Sequence, residues 1–153
     1  MLRPGLLRGL EVTIEPLGFD CREEVKRLLR DAALPTADLS DRITFLGMWR
    51  EGRLIGVIGL EAYGDVGLLR SLAVDAGQRG TGLGGWLVDQ LEAAAAGEGI
   101  ETLYLLTTTA EGFFARRGYQ RVPRETAPPA LQATSEFSTI CPASSACMCK
   151  VVA

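Results

Sequence analysis

A glycine-dense turn between an apolar run and an amphipathic helix is the feature of this chain that most constrains its fold. Residues 68–85 have the sequence LLRSLAVDAGQRGTGLGG, with five glycines between positions 77 and 85. Because glycine has no Cβ, the backbone N–H groups of such a turn approach an anion closely, and the following helix adds its positive N-terminal end. The segment therefore predicts a strand, a phosphate-binding turn and a helix, with a pyrophosphate-bearing cofactor as ligand.

Two other nucleotide-binding loops fit the turn less well. Gly80, Gly82 and Gly85 match the pattern G-x-G-x-x-G, but a dinucleotide site also needs an acidic residue at the end of the next strand. Glu101 has about the right spacing yet precedes the apolar run 102–107, and one strand–helix–strand unit is too little for such a domain. No G-K-S/T sequence follows the turn, which excludes a Walker loop.

Three short motifs follow one another along the chain. Residues 72–75 are LAVD, the residues Arg79, Gly82 and Gly84 fill the pattern R/Q-x-x-G-x-G/A, and residues 113–119 are FFARRGY. Together they resemble the GNAT superfamily of N-acetyltransferases over about residues 10 to 123. The resemblance implies acetyl-CoA as acyl donor, bound at this turn.

The resemblance implies one α/β (α+β) domain, residues 1–153, with a mixed twisted sheet of about six to seven strands and about four flanking helices. Two parallel strands, at 68–74 and 103–106, are expected to splay apart and admit acetyl-CoA. Periodicity and turn residues predict further elements before the glycine turn: a strand at 10–17, a helix at 20–32 that Pro35 stops, a helical turn at 37–41, and a hairpin of strands at 44–50 and 54–63. After the turn they predict a helix from 83 that Gly97 and Gly99 end, and a helix at 111–117 that Gly118 closes. A short helix opened by Pro128 and Pro129 and a strand at 147–151 are expected near the end of the sequence.

The cofactor-binding residues implied by the resemblance lie on the strand before the turn, in the turn, and on the later helix. A backbone N–H near Leu72 is expected to polarise the acetyl carbonyl, an oxyanion contact that does not depend on the side chain. The expected coenzyme contacts are Leu72, Ala73, Val74, Arg79, Gly80, Thr81, Gly82, Leu83, Gly84, Gly85, Phe113 and Phe114.

The chain departs from its relatives at the positions of the general acid and the general base. Phe114 stands where a tyrosine often protonates the coenzyme thiolate, and Arg70 and Ser71 stand where many relatives carry a carboxylate. Glu61 is the preferred base, acting through water, with Asp65 as the alternative. The candidate acids are Tyr104, Tyr63 and Thr107, and solvent is a further proton source for a thiolate.

Arg70 also has a second interpretation. A planar guanidinium suits a carboxylate, phosphinate or arsonate, which points to an amino-acid-like acceptor, and Ser71 and Tyr63 are expected to line the same substrate site. The alternative is a structural arginine paired with Asp65 or Glu61.

Composition narrows the function further. The 153 residues carry a formal net charge of −3, with a pI near 5.1, which argues against nucleic-acid or anionic-membrane partners. A continuous apolar segment of about 20 residues is absent from the sequence, so neither a signal segment nor a membrane span is predicted. We expect a cytoplasmic protein, a small-molecule amine as substrate, and a homodimer as one possible state.

The chain has no histidine and four cysteines. The first fact excludes histidine-dependent catalytic triads and histidine metal sites. Cys141, Cys147 and Cys149 lack a zinc-ribbon spacing, so no metal cofactor is expected. In a reducing compartment they are small buried residues or, alternatively, a soft-thiolate site for trivalent arsenic.

Within the superfamily, the segments 63–75, 102–119 and 136–148 are similar to a subgroup associated with arsenic-resistance operons. The leading hypothesis is an N-acetyltransferase in which the amine of a small, anionic or amino-acid-like metabolite or toxin attacks acetyl-CoA directly in a ternary complex. Two alternatives remain: a coenzyme-A-binding sensor with little or no catalysis, and a thiol-based arsenic-binding protein.

Overall fold

The computed structural model describes residues 12–37, 39–78, 82–140 and 144–153. Its strands are β1 (Val12–Pro16), β2 (Ile43–Arg50), β3 (Arg53–Tyr63), β4 (Val66–Val74), β5 (Thr102–Thr107), β6 (Gln120–Val122) and β7 (Ala146–Val151). Its α-helices are α1 (Arg22–Asp31), α2 (Leu83–Gly97), α3 (Glu111–Arg116) and α4 (Pro129–Gln132). Within these ranges the seven strands form one mixed sheet in the order β1-β2-β3-β4-β5-β7-β6. The predicted mixed α/β fold is confirmed.

The contacts divide the chain into two compact units. The first comprises the described residues up to Gly59 together with Ser71–Leu91, and the second comprises Leu60–Arg70 and Glu92–Ala153. The elements β3, β4 and α2 contribute residues to both units. None of the helices in the described part of the chain combines the length and the apolar character that a bilayer span requires.

The core of the first unit forms between α1 and its strands. Helical spacing places Val25, Leu28 and Leu29 on one face of α1, and all three are buried. They pack against apolar residues of the strands, which lie on the face of the sheet that α1 covers. The buried cluster consists of Val25, Leu28, Leu29, Ile43, Phe45, Leu54, Val57 and Ala73.

Helix α1 ends at Asp31 with Ala32 as its C-cap, within one residue of the predicted end. Ala33 has a φ of +59°, and the Leu34 N–H donates to the Leu29 carbonyl at 2.8 Å, which closes the helix in a left-handed cap before Pro35 is reached. The predicted helical turn at 37–41 is wrong for the described residues of that range, which form turns and irregular chain. The Ser40 carbonyl instead accepts bonds from Arg22 Nη2 at 3.2 Å and from the Ile43 N–H at 3.3 Å.

The predicted hairpin between β2 and β3 is confirmed. Its two linking residues, Glu51 and Gly52, have φ values of +51° and +77°. Positive φ at both positions is the geometry of a two-residue turn whose twist matches that of the flanking strands.

The second unit is built around β5 and β7. They pair antiparallel from Thr102 opposite Val151 to Thr107 opposite Ala146, whereas β4 pairs with β5 in parallel only from Val66 to Leu68. The short strand β6, which the sequence analysis did not predict, covers the other edge of β7. The segment between β6 and β7 contains α4 and a π-helical turn at Glu136–Ile140.

This segment packs an apolar cluster onto the strands of the second unit. The buried members are Leu68, Ala127, Leu131, Phe137 and Cys147. Tyr63 and Tyr104 lie at the margin of the cluster and are partly buried. The apolar cluster therefore determines the surroundings of Tyr63 and Tyr104, two residues predicted to belong to the site.

Candidate active site

The chain leaves β4 through a turn that Asp75 organises. Its backbone N–H donates to the Ile55 carbonyl at 2.7 Å, and its Oδ1 accepts the Gly77 N–H at 3.3 Å. Arg53 Nη2 contacts the other carboxylate oxygen at 2.7 Å. This aspartate of the LAVD motif thus caps the turn that leads into the glycine-rich segment.

The described end of the glycine turn begins helix α2. Gly82 has a φ of +84°, a left-handed conformation that favours glycine, and its carbonyl accepts the Trp86 N–H at 3.3 Å. Gly82 is exposed, Leu83 and Gly85 are buried, and Gly84 is half-buried. The N–H groups of residues 83–85 precede the first intrahelical donor, so they are the amides that a helix offers to an anion. Arg79, Gly80 and Thr81 lie outside the described residues.

The strand residues expected to contact the acyl group lie at the end of β4. Leu72 and Val74 are half-buried, and Ala73 is 4% exposed. Ser71 has a φ of +59°, a left-handed conformation within the strand that a non-glycine residue adopts only when its surroundings hold it there. The oxyanion contact of Leu72 stays a prediction.

A buried charged cluster, here called the Arg70 cluster, occupies the second unit. Arg70 Nη1 lies 2.8 Å from Glu61 Oε2, and Arg70 Nη2 lies 3.6 Å from Glu136 Oε2. The Tyr63 hydroxyl donates to the other oxygen of Glu61. The side chains of Arg70, Glu61 and Glu136 are 1%, 9% and 8% exposed, respectively. The Arg70 cluster therefore consists of Glu61, Tyr63, Arg70 and Glu136.

The Arg70 cluster joins three residues that the sequence analysis assigned separate roles. Glu61, Tyr63 and Arg70 lie in direct contact, and the pairing of Arg70 with Glu61 is the one named in the structural interpretation. Asp65, the other proposed partner and base, is exposed. Glu136 was not predicted, because it lies far along the chain and only the packing of the segment after β6 brings it to Arg70.

Tyr104, the expected acid, lies on β5 opposite Cys149. Burial, followed by the neighbouring thiols of Cys149 and Cys147, raises the pKa of its phenol above the usual value of 10.0. The hydroxyl therefore keeps its proton near neutral pH. Thr107, an alternative acid, accepts the Ala110 N–H at 3.0 Å and so caps the chain before α3.

Phe113 and Phe114 belong to an aromatic stack next to α3. The rings of Phe114 and Phe113 are 5.0 Å apart edge to face, and those of Phe114 and Tyr119 are 5.5 Å apart. Phe114 is 4% exposed, whereas Phe113 is half-buried. The Tyr119 hydroxyl donates to Glu92 at 2.9 Å, and Lys150 contacts the same carboxylate at 3.0 Å. This second charged cluster was not predicted either.

The cysteines on β7 are protonated thiols near neutral pH. Burial, and then the neighbouring Cys149, raises the pKa of the Cys147 thiol to about 11, and burial also raises the pKa of Cys149. Cys141 lies outside the described residues. Among the residues that are described, no group of three or more Cys, Asp or Glu side chains is placed to hold a metal ion.

An open cavity of about 380 Å³ lies beside β6 and β7. Two arginines, Arg121 and Arg124, line it, and the Ser145 hydroxyl at its wall is buried without a hydrogen-bond partner. Arg121 contacts Glu111 at 3.3 Å, and Arg124 donates to the Phe137 carbonyl at 2.6 Å. The cavity was not predicted from the sequence.

Known proteins resemble this chain in sequence. An uncharacterized N-acetyltransferase of Chlorobaculum tepidum is 35% identical over 98 residues, which cover 63% of this chain and 61% of that protein. The amino-acid acetyltransferase of Pseudomonas paraeruginosa is 36% identical over 90 residues, covering 58% of this chain and 21% of that protein. The chain therefore spans less than two thirds of the length of either relative.

Solved structures resemble it in fold. N-acetylglutamate synthase from Neisseria gonorrhoeae, crystallised with coenzyme A and N-acetyl-glutamate, superposes with a TM-score of 0.79 at 20% identity, over 94% of this chain and 35% of that one. The family model described as the Acetyltransferase (GNAT) family matches residues 13–122, which is more than half of the chain. The predicted resemblance to this family is thereby confirmed. The chain belongs to the Acetyltransferase (GNAT) family.

Proposed function

We propose that this protein transfers the acetyl group of acetyl-CoA to the amino group of a small, amino-acid-like acceptor. The observation that carries the acceptor class is the Arg70 cluster, in which one guanidinium lies between two carboxylates. An α-amino acid carries a carboxylate, which complements the guanidinium, and an ammonium group, which complements the carboxylates of the cluster. Guanidinium groups bind carboxylates in a planar, directional way that suits such a role.

Donor binding rests on the glycine turn. The first-turn amides of residues 83–85, which precede the first intrahelical donor and follow the left-handed Gly82, are suited to the diphosphate of the coenzyme. Arg79, Gly80 and Thr81 are proposed to complete this contact, and Leu72, Ala73 and Val74 to line the pantetheine and acetyl group, with Leu72 N–H on the carbonyl oxygen. The pairing of β4 with β5 over only three residues is consistent with the expected splay. Phe113 is the more exposed of the two proposed aromatic contacts.

The reaction is proposed to be a direct attack. The acceptor ammonium first loses a proton to Glu61 through water, and the nitrogen lone pair then forms a bond to the thioester carbon. The C–S bond breaks, and coenzyme A leaves as a thiolate. Tyr104, whose raised pKa keeps its phenol protonated, or solvent supplies the proton to sulfur, while the second ammonium proton is released to solvent.

The names of the relatives support an amino-acid-like acceptor. One relative is an amino-acid acetyltransferase, and the Neisseria gonorrhoeae synthase was crystallised with N-acetyl-glutamate. The chain covers about a fifth of the first and a third of the second, so the proposed acceptor class rests on the chemistry of the Arg70 cluster.

A thiol-release screen tests the function. Purified protein is given acetyl-CoA with α-amino acids, phosphinate and arsonate amino acids, polyamines or aminoglycosides, and the acetylated product is identified by mass spectrometry. We expect the highest rates with acceptors that carry both an amine and an anionic group. Release only with polyamines or aminoglycosides contradicts the acceptor class.

A coenzyme-A-binding sensor is the second candidate, and one observation favours it. Phe114 is buried in the aromatic stack and offers no hydroxyl at the position of the family's usual acid. Calorimetric binding of coenzyme A without thiol release for any acceptor supports the sensor, whereas turnover excludes it.

A link to arsenic resistance, a homodimer and a cytoplasmic location also stay proposals. An arsonate amino acid among the best acceptors would support the first. The thiol-based arsenic site has less support, because the raised pKa of Cys147 keeps its thiol protonated, whereas soft-metal binding uses the thiolate.

A further inference from the structure

The open cavity beside β6 and β7 has positive charge on its wall. Among the described residues, its lining contains two guanidinium groups and no carboxylate: Arg121, Val122, Pro123, Arg124, Ser145 and Cys147. All of these residues lie in the second unit, and none of them belongs to the Arg70 cluster. Charge therefore favours an anion as the occupant of this cavity.

Contacts with Phe137 hold Arg124 in place at the wall. Arg124 Nη2 donates to the Phe137 carbonyl at 2.6 Å, and its guanidinium lies 5.6 Å from the centre of the Phe137 ring. Burial, which raises the pKa of the Cys147 thiol, is opposed by the positive charge of Arg124 and, to a smaller extent, reinforced by the exposed Glu125. Arg124 is therefore oriented before a ligand arrives, which reduces the entropy that binding costs.

Arg121 is the more exposed of the two arginines and is paired only through an exposed contact. Its Nη1 lies 3.3 and 3.4 Å from the two carboxylate oxygens of Glu111, and the two side chains are 63% and 44% exposed. Water screens such a pair, so the pair contributes little energy. An anion in the cavity can therefore share Arg121 with Glu111 at small cost.

Ser145 supplies a buried polar group that the fold leaves unused. The residue is 6% exposed, and its hydroxyl has no hydrogen-bond partner within the part of the chain that the structure describes. Burial of a hydroxyl without a partner is unfavourable. Rotation about the Cα–Cβ bond moves the oxygen among staggered positions, so an oxygen atom bound in the cavity can accept the hydroxyl proton and remove this cost.

The rest of the wall suits a carbon skeleton. Val122 and Pro123 offer apolar contact, and Cys147 is a protonated thiol near neutral pH. The volume of about 380 Å³ lies within the range of small-molecule sites, roughly 300–1,000 Å³. An anion that carries an organic group therefore fits the cavity better than a bare ion.

We propose that this cavity binds a small organic oxyanion, a carboxylate or a phosphate, with its anionic group on Arg121, Arg124 and the Ser145 hydroxyl. Guanidinium groups match the oxygen geometry of both anions, and the hydroxyl donates to either. The site shares no residue with the proposed acceptor site. The inference therefore goes beyond the proposed acetyl transfer and does not depend on it.

NMR titration of the isotope-labelled protein, without coenzyme, tests the site residue by residue. The ligands are succinate and glycerol 3-phosphate, with succinamide and glycerol as their uncharged controls, in a phosphate-free buffer of low salt. We expect saturable shifts of the backbone amides of Val122, Arg124, Ser145 and Cys147 with at least one anion, and no such shifts with the uncharged controls. The anion with the lower Kd identifies the anionic group as a carboxylate or a phosphate.

Two variants, each with a matched control, test the polar contacts. Ser145→Ala removes the unused hydroxyl, so its free energy of unfolding should not fall, whereas Kd for the tighter anion should rise about tenfold. Arg121→Gln should raise Kd about threefold, because its contact is exposed. The controls are Ser144→Ala and Arg30→Gln, which change exposed residues outside the cavity lining and should leave Kd nearly unchanged.

Three outcomes overturn the inference. The first is the absence of saturable shifts at these amides with either anion, and the second is a set of shifts confined to residues 61–70, which would mean binding at the Arg70 cluster. The third is a Kd that is the same in the wild type and in both folded variants, Ser145→Ala and Arg121→Gln. Since none of these measurements uses thiol release, a failure of the proposed acetyl transfer leaves this inference standing.

Discussion

Two arginine–carboxylate pairs of nearly equal length differ in how deeply they are buried. Arg53 lies 2.7 Å from Asp75, at the turn after β4, and Arg70 lies 2.8 Å from Glu61, in the second unit. The Arg53 side chain is 65% exposed and that of Arg70 only 1% exposed. Distance alone would rank the two pairs as equivalent, whereas burial separates them.

The difference in burial determines how much each pair contributes to stability. Water screens the exposed pair, so Arg53 adds little energy, and Asp75 shapes the turn mainly through its bonds to backbone N–H groups. The buried pair is unscreened, so each charge depends strongly on the others.

The largest predicted effect is that of Arg70→Ala on stability. The substitution leaves Glu61 and Glu136 buried without their cation, so we expect the free energy of unfolding to fall by about 3–5 kcal/mol. Urea unfolding at neutral pH measures it. A loss below 1 kcal/mol, as for an exposed pair, would remove the distinction between the two arginines.

Burial of the Cys147 thiol should also make the free energy of unfolding depend on pH in the alkaline range. The pKa of Cys147 is about 11 in the fold, against 9.0 for an ordinary thiol, so only the unfolded chain ionises it between those values. The stabilisation is fully present below pH 9 and is lost as pH rises toward 11, by about 2 to 3 kcal/mol. Unfolding of wild type and Cys147→Ala at pH 8 and pH 10.5 tests this. Equal pH dependence of the two proteins contradicts it.

A smaller effect is expected in the glycine turn. Neither Gly77 nor Gly82 has an atom within 4 Å of an added Cβ, but only Gly82 has a positive φ. Gly82→Ala should therefore cost about 1 kcal/mol through backbone strain and weaken coenzyme A binding. Gly77→Ala is the matched control, and equal losses in thermal unfolding for the two variants would show that conformation at residue 82 is not the cause.

The smallest effect is predicted for Arg53→Ala. Because the pair is exposed, we expect a loss of about 0.5 kcal/mol, which high salt should abolish. Urea unfolding at low and high salt measures it. A loss that approaches the one for Arg70→Ala would mean that burial does not govern the ranking.

Secondary-structure elements were predicted from the sequence better than contacts between distant side chains. The helix that begins after Gly82, the β2–β3 hairpin and β7 follow from residue types that act locally, such as glycine at positive φ or alternating apolar residues. The contact of Arg70 with Glu61 was foreseen as an alternative because both lie near one strand. Glu136 and the Glu92–Lys150 pair were missed, because each joins distant segments through packing that has no local pattern.

The central claim is that Arg70 binds the carboxylate of an amino-acid acceptor, and a KM comparison tests it most directly. In Arg70→Lys, which keeps the charge but loses the planar fork, KM for the best amino acid should rise at least about tenfold while KM for acetyl-CoA stays the same. Equal changes in both KM values, or no change in either, would contradict the account.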